Sequence, residues 1–177
     1  MKHQFVICTD RCRLRQVQPD DLSQVLSWRN DDRIKKWFVN RSTISPQQQI
    51  IWYNNYLNND NDMIFIIEEK SNTGSPIGLI SLYNINPESN TAEFGRFMIG
   101  DFNYRGKGLG FECANAVCAF GFGELGLREI HLDVFEDNTS AVGVYKKIGF
   151  TITGKRLIDN KALLTMVLEY KSEIAES

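Results

Sequence analysis

The chain has 177 residues, 42% hydrophobic and 24% charged, with a formal net charge of −2. That size and composition fit one globular domain with a sizeable core, and the charge argues against non-specific nucleic-acid binding. The longest apolar runs, such as 63–67, are too short to span a bilayer, and the Met-Lys-His-Gln start lacks a signal peptide's apolar core.

A cytoplasmic protein without membrane contact is the expectation. Four cysteines (Cys8, Cys12, Cys113, Cys118) make no disulfide framework and are read as reduced thiols. With only His3 and His131 available, no metal site is expected. The sequons at Asn40 and Asn138 carry no meaning without secretion.

Residues 11–17 alternate as a half-exposed first strand. Pro19-Asp20-Asp21 opens a helix carrying Leu22, Val25, Leu26 and Arg29 at helical spacing. A short helix is expected over 31–38, and a third from Ser45-Pro46 through Leu57. The Asn-rich stretch 58–62 is a turn. Strands follow at 63–69 and 77–83, joined by a hairpin-like 71–75, and another at about 91–99. A glycine loop then precedes a helix with Leu109, Cys113, Ala116, Val117 and Phe120 on one face. Residues 129–135 alternate Ile130, Leu132 and Val134 against His131, Asp133 and Phe135, as a strand does. Asn138 is placed to cap a helix ending at Ile148, with Gly149 as its left-handed stop, and strands at 150–157 and 163–170 close the chain. This is one mixed α/β domain, with no internal repeat or interdomain linker.

The loop Tyr-Arg-Gly-Lys-Gly-Leu-Gly at 104–110 sits between strand and helix, where glycines let backbone N–H groups approach phosphate oxygens at the positive end of a helix. Leu109 after Gly108 excludes the P-loop pattern, and Phe111 occupies the place of the dinucleotide loop's third glycine. A literal G-x-G-x-x-G at Gly121, Gly123 and Gly126 closes a helical segment and is read as a cap and turn. What fits is the acetyl-CoA loop of the GNAT acetyltransferase superfamily, Arg/Gln-x-x-Gly-x-Gly/Ala, through Arg105, Gly108 and Gly110. Asn138, Ala141, Tyr145 and Gly149-Phe150 resemble that family's later signature, and Ala92-Glu93-Phe94-Gly95 its central strand.

The resemblance implies the GNAT fold, a mixed, mostly antiparallel sheet flanked by helices, with acceptor elements at about 1–60 and an acetyl-CoA core at about 76–170. It implies acetyl transfer from acetyl-CoA to a primary amine in a ternary complex, without a metal. Cofactor contacts are then expected from Met98, Ile99 and Gly100 through their backbone, from Arg105, Gly106, Lys107, Gly108, Leu109 and Gly110, and from Asn138 and Lys147. The departing thiolate needs a proton, and a phenol can give one. Tyr145 matches the family's tyrosine for that role, the alternative being a Tyr packed against the sheet. Glu93 is the candidate base, directly or through a water, with a cross-strand salt bridge to Arg96 as its plain alternative. His131 is a lesser candidate.

For the acceptor pocket, Trp28, Arg29, Asn30, Arg33 and Trp37, with Tyr83, are the candidates, because aromatics beside arginine suit flat rings and sugar faces. Trp52 is read as docking its helix. The Trp-Arg-Asn-Asp…Arg…Trp-Phe stretch resembles GNAT enzymes that acetylate nucleotide-linked 4-amino sugars and, less closely, ribosomal-protein N-terminal acetyltransferases. A nucleotide-linked amine is therefore expected, with a polyamine, another small amine or an N-terminal peptide as alternatives. A CoA-binding module without turnover is the non-enzyme alternative, and a homodimer is plausible for the superfamily.

Overall fold

The computed structural model of the chain describes residues 3–71 and 74–171. A short hairpin opens it, β1 (Ile7–Cys8) and β2 (Cys12–Gln16). Two residues give no alternation to detect, and β1 escaped the sequence reading. A 3-10 turn at Pro19–Asp21 leads into α1 (Leu22–Asn30), then α2 (Asp32–Lys35) and α3 (Pro46–Leu57). α2 is shorter than its expected 31–38, because Trp37 N–H and Phe38 N–H bond back only three residues, to Ile34 and Lys35. The start of α3 is a reciprocal cap: Gln48 N–H donates to Ser45 Oγ, and Ser45 N–H to Gln48 Oε1.

The remaining strands are β3 (Met63–Glu69), β4 (Pro76–Asn86), β5 (Thr91–Ile99), β6 (Glu129–Phe135), β7 (Thr151–Ile158) and β8 (Lys161–Glu169). α4 (Leu109–Gly123) and α5 (Thr139–Ile148) flank β6 in sequence. Among the described residues all eight strands form one sheet, in the order β1-β2-β3-β4-β5-β6-β8-β7. Every neighbouring pair is antiparallel except β5–β6, the parallel pair that α4 connects as a crossover. The 71–75 connection does join an antiparallel pair, although residues 72 and 73 lie outside the described residues.

The sheet separates two cores. α4 and α5 cover one face, where Leu109, Val117, Ile130, Tyr145 and Phe150 meet. α1, α2 and α3 cover the other, with Val25, Trp28, Tyr53, Tyr56, Ile66 and Met98. Ile64 to Ile67 are fully buried because β3 is covered on both faces, which is why it reads as an apolar run without alternation. Arg15 ties the edge of the second core together, bonding Asp21 at 2.7 Å and Glu68 at 2.5 Å.

Candidate active site

β5 and β6 pair at only three positions, Thr91 with Glu129, Ala92 with Ile130 and Glu93 with His131. Beyond them β6 stays with β8, while β5 stays with β4. The facing edges therefore part from Phe94 onward and open a slot through the sheet. A bulge drives the parting: Ser81 pairs with Gly95 but Leu79 with Met98, so β5 carries an extra residue there. Arg96 takes it up at φ 49°.

The loop at the wide end of the slot has the form that the phosphate argument requires. Gly106 and Gly108 adopt φ of 73° and 80°. The first α4 bond runs from Glu112 N–H to Gly108 O, which leaves the N–H groups of Leu109, Gly110 and Phe111 without acceptors inside the helix. Lys147 Nζ lies 4.2 Å from the Phe111 ring, so α5 brings a cation to this turn, and Lys107 is exposed beside it. Arg11 braces the loop from β2's side, donating to Lys107 O at 2.9 Å and to Glu112 Oε2 at 2.7 Å. Together with the Thr9 hydroxyl it holds the Glu112 carboxyl below its usual range, against the opposing effect of burial. No local motif marks Arg11, because its partners lie about a hundred residues away.

Three expected cofactor residues also make contacts within the protein. Arg105 turns from the loop toward the strand end, donating to Ile99 O at 2.9 Å with its guanidinium 3.8 Å from the Phe102 ring. Gly100 N–H bonds Ile77 O, and the Trp28 indole lies so close that a Cβ at Gly100 would come within 2.1 Å of it. The Met98 side chain is buried under α1–α3. The free edge of β5 thus begins at Phe94, earlier than Met98–Gly100. Even so, three unpaired N–H donors on an open glycine turn fit a pyrophosphate, and an unpaired strand edge fits an extended amide-bearing arm. The residues present fit coenzyme A.

Asn138 caps α5 by accepting from Ala141 N–H at 3.4 Å, and Gly149 ends the helix at φ 117°. Tyr145 is thereby set under the slot, 7% exposed, edge-on to Phe94 (5.6 Å between centroids) and Phe150 (5.8 Å). Burial pushes its phenol above the ordinary value of 10, so it stays protonated at neutral pH. The ring is packed between Phe94 and Phe150, as the plain alternative expects.

Across the slot, Glu93 accepts from Asn84 Nδ2 at 2.8 Å and stands opposite Tyr83 in the β4–β5 ladder. Burial, then the Glu93 charge, push Tyr83 up to about 12. The anticipated Glu93–Arg96 ion pair does not form, since Arg96 bonds Asp62 at 2.7 Å. His131 shares the register of Glu93 and bonds Glu129 at 3.1 Å. His131, Asp133 and Phe135 face away from the Ile130–Leu132–Val134 core, as the alternation implies.

Of the acceptor candidates, Trp28 is a correction. It is 7% exposed and docks α1 against Gly100 and Met98, so its ring serves packing. Trp52 packs against the same core and stacks on Tyr56, with ring centroids 6.5 Å apart, as anticipated. Arg29 donates to Asn40 O and lies over Phe38 at 4.0 Å, while Asn30 bonds both N–H and O of Ile44 at 2.8 Å, fastening the 38–44 segment. Arg33 pairs with Asp31 at 2.6 Å and covers the second face of Phe102 at 3.6 Å, so α2 and the cofactor loop share that ring. Trp37 is half-buried with Lys161 5.9 Å from its ring. The sequence reading missed Arg41, which reaches within 5.1 Å of the Phe135 ring at the end of β6.

Among the described residues no three of His, Cys, Asp or Glu converge as a metal site, and no helix is long and apolar enough to cross a membrane. A family model described as Acetyltransferase (GNAT) domain matches residues 11–151. A spermidine N(1)-acetyltransferase of Escherichia coli (strain K12) is 27% identical over 143 residues, covering 81% of this chain and 74% of that protein. A putative ribosomal N-acetyltransferase of Bacillus subtilis (strain 168), YdaF, is 27% identical over 150 residues, covering 80% and 79%. The crystal structure of a Vibrio cholerae spermidine N-acetyltransferase with CoA and spermine superposes with a TM-score of 0.83 at 24% identity, over 91% of this chain and 96% of that one. The amino-sugar resemblance draws no support from these relatives. The signature loop, the parted parallel strands and the match over residues 11–151 agree: the chain belongs to the GNAT family of acetyl-CoA-dependent N-acetyltransferases.

Proposed function

We propose that this enzyme moves the acetyl group directly onto the primary amine of a small molecule in a ternary complex. The observation that carries the reading is the slot from Phe94 onward, with Tyr145 on the α5 side and Glu93 on the α1–α3 side. Acetyl-CoA, when bound, supplies a thioester carbon for attack. The loop N–H donors and Lys147 hold its phosphates, and Glu93 takes the proton that the amine loses. Tyr145 gives its phenolic proton to the departing sulfur. Each group acts on its own face of the sheet, and this separation suits two reactants entering from opposite sides.

For the acceptor, the relatives named for spermidine favour a polyamine. A specific observation favours a second reading, an amine joined to an anionic body such as a nucleotide. The carboxylates at and just after the end of β6 are already paired inside the protein: Asp133 with Arg156, Glu136 with Lys155 and Asp137 with Lys161. Arg29 Nη1 and Arg41 Nε and Nη2 are buried with no hydrogen-bond partner. A polycation would meet few free acids there, whereas an anion would complete these guanidinium groups. CoA release measured with spermidine, nucleotide-linked amino sugars and ribosomal-protein N-terminal peptides separates the classes. Turnover with spermidine alone establishes the first and removes the second. No CoA release with any primary amine, despite tight acetyl-CoA binding, would leave a binding module in place of an enzyme.

A further inference from the structure

Arg96 stands where glycine would cost least. As the extra residue of the β5 bulge it holds φ 49°, a left-handed region that strains any non-glycine residue. Its side chain accounts for the choice. Nη1 donates to both oxygens of Asp62, at 2.7 and 2.9 Å, and Asp62 is only 4% exposed. The same guanidinium lies 4.5 Å from the centre of the Tyr83 ring. That ring lies over Gly95, where a Cβ would come within 2.9 Å of it, so the absence of a side chain at 95 is what admits it. Tyr83 and Glu93 stand directly opposite each other in the β4–β5 ladder, so the phenol and the carboxylate share one face of the sheet.

We infer that Asp62 and Arg96 form a positioning clamp: they press Tyr83 onto Gly95 and so aim its hydroxyl at Glu93, which fixes the carboxylate at the slot. Glu93 then has Tyr83 opposite it and Asn84 Nδ2 bonded to it, on a strand that has just lost its β6 neighbour. The clamp rests on the assignment of Glu93 as the base. It extends that assignment to three residues, Asp62, Arg96 and Tyr83, none of which takes or gives a proton in the proposed reaction. The clamp also ties the shape of β5 to its chemistry, since the residue that bends the strand is the one that anchors the base's partner.

The test is a double-mutant cycle on kcat, with the acetyl-CoA KM and the melting temperature followed in parallel. Arg96→Gly removes the clamp and relieves the positive-φ strain. It is expected to lower kcat tenfold or more, to leave the acetyl-CoA KM within about twofold, and not to lower the melting temperature as a lost core residue would. Arg96→Lys, which keeps a cation for Asp62 and the ring, is expected to recover much of the loss. Tyr83→Phe is expected to cost a similar factor, and the double variant no more than the worse single, because Arg96 acts through Tyr83. An Arg96→Gly enzyme with wild-type kcat, or two losses that multiply, overturns the clamp. Glu93→Gln run alongside separates the two ideas. If Glu93→Gln is fully active, the base assignment falls and the clamp with it. If Glu93→Gln is impaired and Arg96→Gly is not, only the clamp falls.

Discussion

Tyr145 and Phe94 pack edge to face, with ring centroids 5.6 Å apart and planes at 78°. Phe94 is the first β5 residue beyond the last β6 pairing, so this contact places the phenol where the sheet opens. A ring held by two phenylalanines has little rotational freedom.

Tyr145→Phe keeps those ring contacts and deletes the proton donor. Steady-state kinetics are expected to show kcat at least tenfold lower, about 1.4 kcal/mol of transition-state stabilisation, with the acetyl-CoA KM nearly unchanged. The pH profile adds a second check. Burial raises the folded-state value of this phenol above 10, so the acid form persists as pH rises and kcat should show no falling alkaline limb from it below about pH 10. Full turnover in the Phe variant would remove Tyr145 from the acid role.

Glu93→Gln retains an oxygen for Asn84 and so is expected to fold normally while losing about 10² in kcat at neutral pH, in the range of a lost general base. The deficit should shrink as pH approaches the amine's own pKa, because a neutral amine needs no base. A deficit that stays constant across that range would mean that the carboxylate binds the acceptor and does not take its proton.

Gly100→Ala places a methyl group 2.1 Å from the Trp28 indole and must displace it. Denaturant unfolding is expected to show a loss of about 2–3 kcal/mol, typical of overpacking, and Trp28→Ala about 3–5 kcal/mol. If Trp28→Ala leaves stability intact and raises only the acceptor KM, the tryptophan belongs to the pocket after all.

Arg11→Ala unties Lys107 O and Glu112 from β2. The acetyl-CoA KM is expected to rise several-fold with little change in kcat. Because the Glu112 carboxyl is held below its ordinary 4.5, its pairing stabilises the folded protein above that pH and is lost as pH falls through the lowered value. Acid unfolding should therefore show wild type and variant converging once the pH has fallen through that lowered value. A stability gap that persists there would assign Arg11 a purely packing role.

Much was legible in the chain because the signals were local. Strands β3, β5 and β6 fall at their expected bounds, and Ser45, Asn138 and Gly149 cap as their residue types require. β1 and the true length of α2 were not legible, since two residues carry no period and a helix end depends on which carbonyl the next N–H reaches. Arg105 matched its motif in sequence yet lies against Phe102 and Ile99 O, contacts three and six residues back that the motif's spacing does not describe.

The sequence by itself determined the donor. A glycine loop at a strand-to-helix turn, with Asn138 and Tyr145 at their spacing downstream, specifies local backbone geometry, and local geometry is what binds phosphate. Only the tertiary structure decided the rest. It turned Trp28 inward, paired Arg96 with Asp62 and left buried nitrogens of Arg29 and Arg41 without a hydrogen-bond partner among the described residues. Charge complementarity depends on which neighbour each side chain meets across the fold, and no spacing along one chain encodes that.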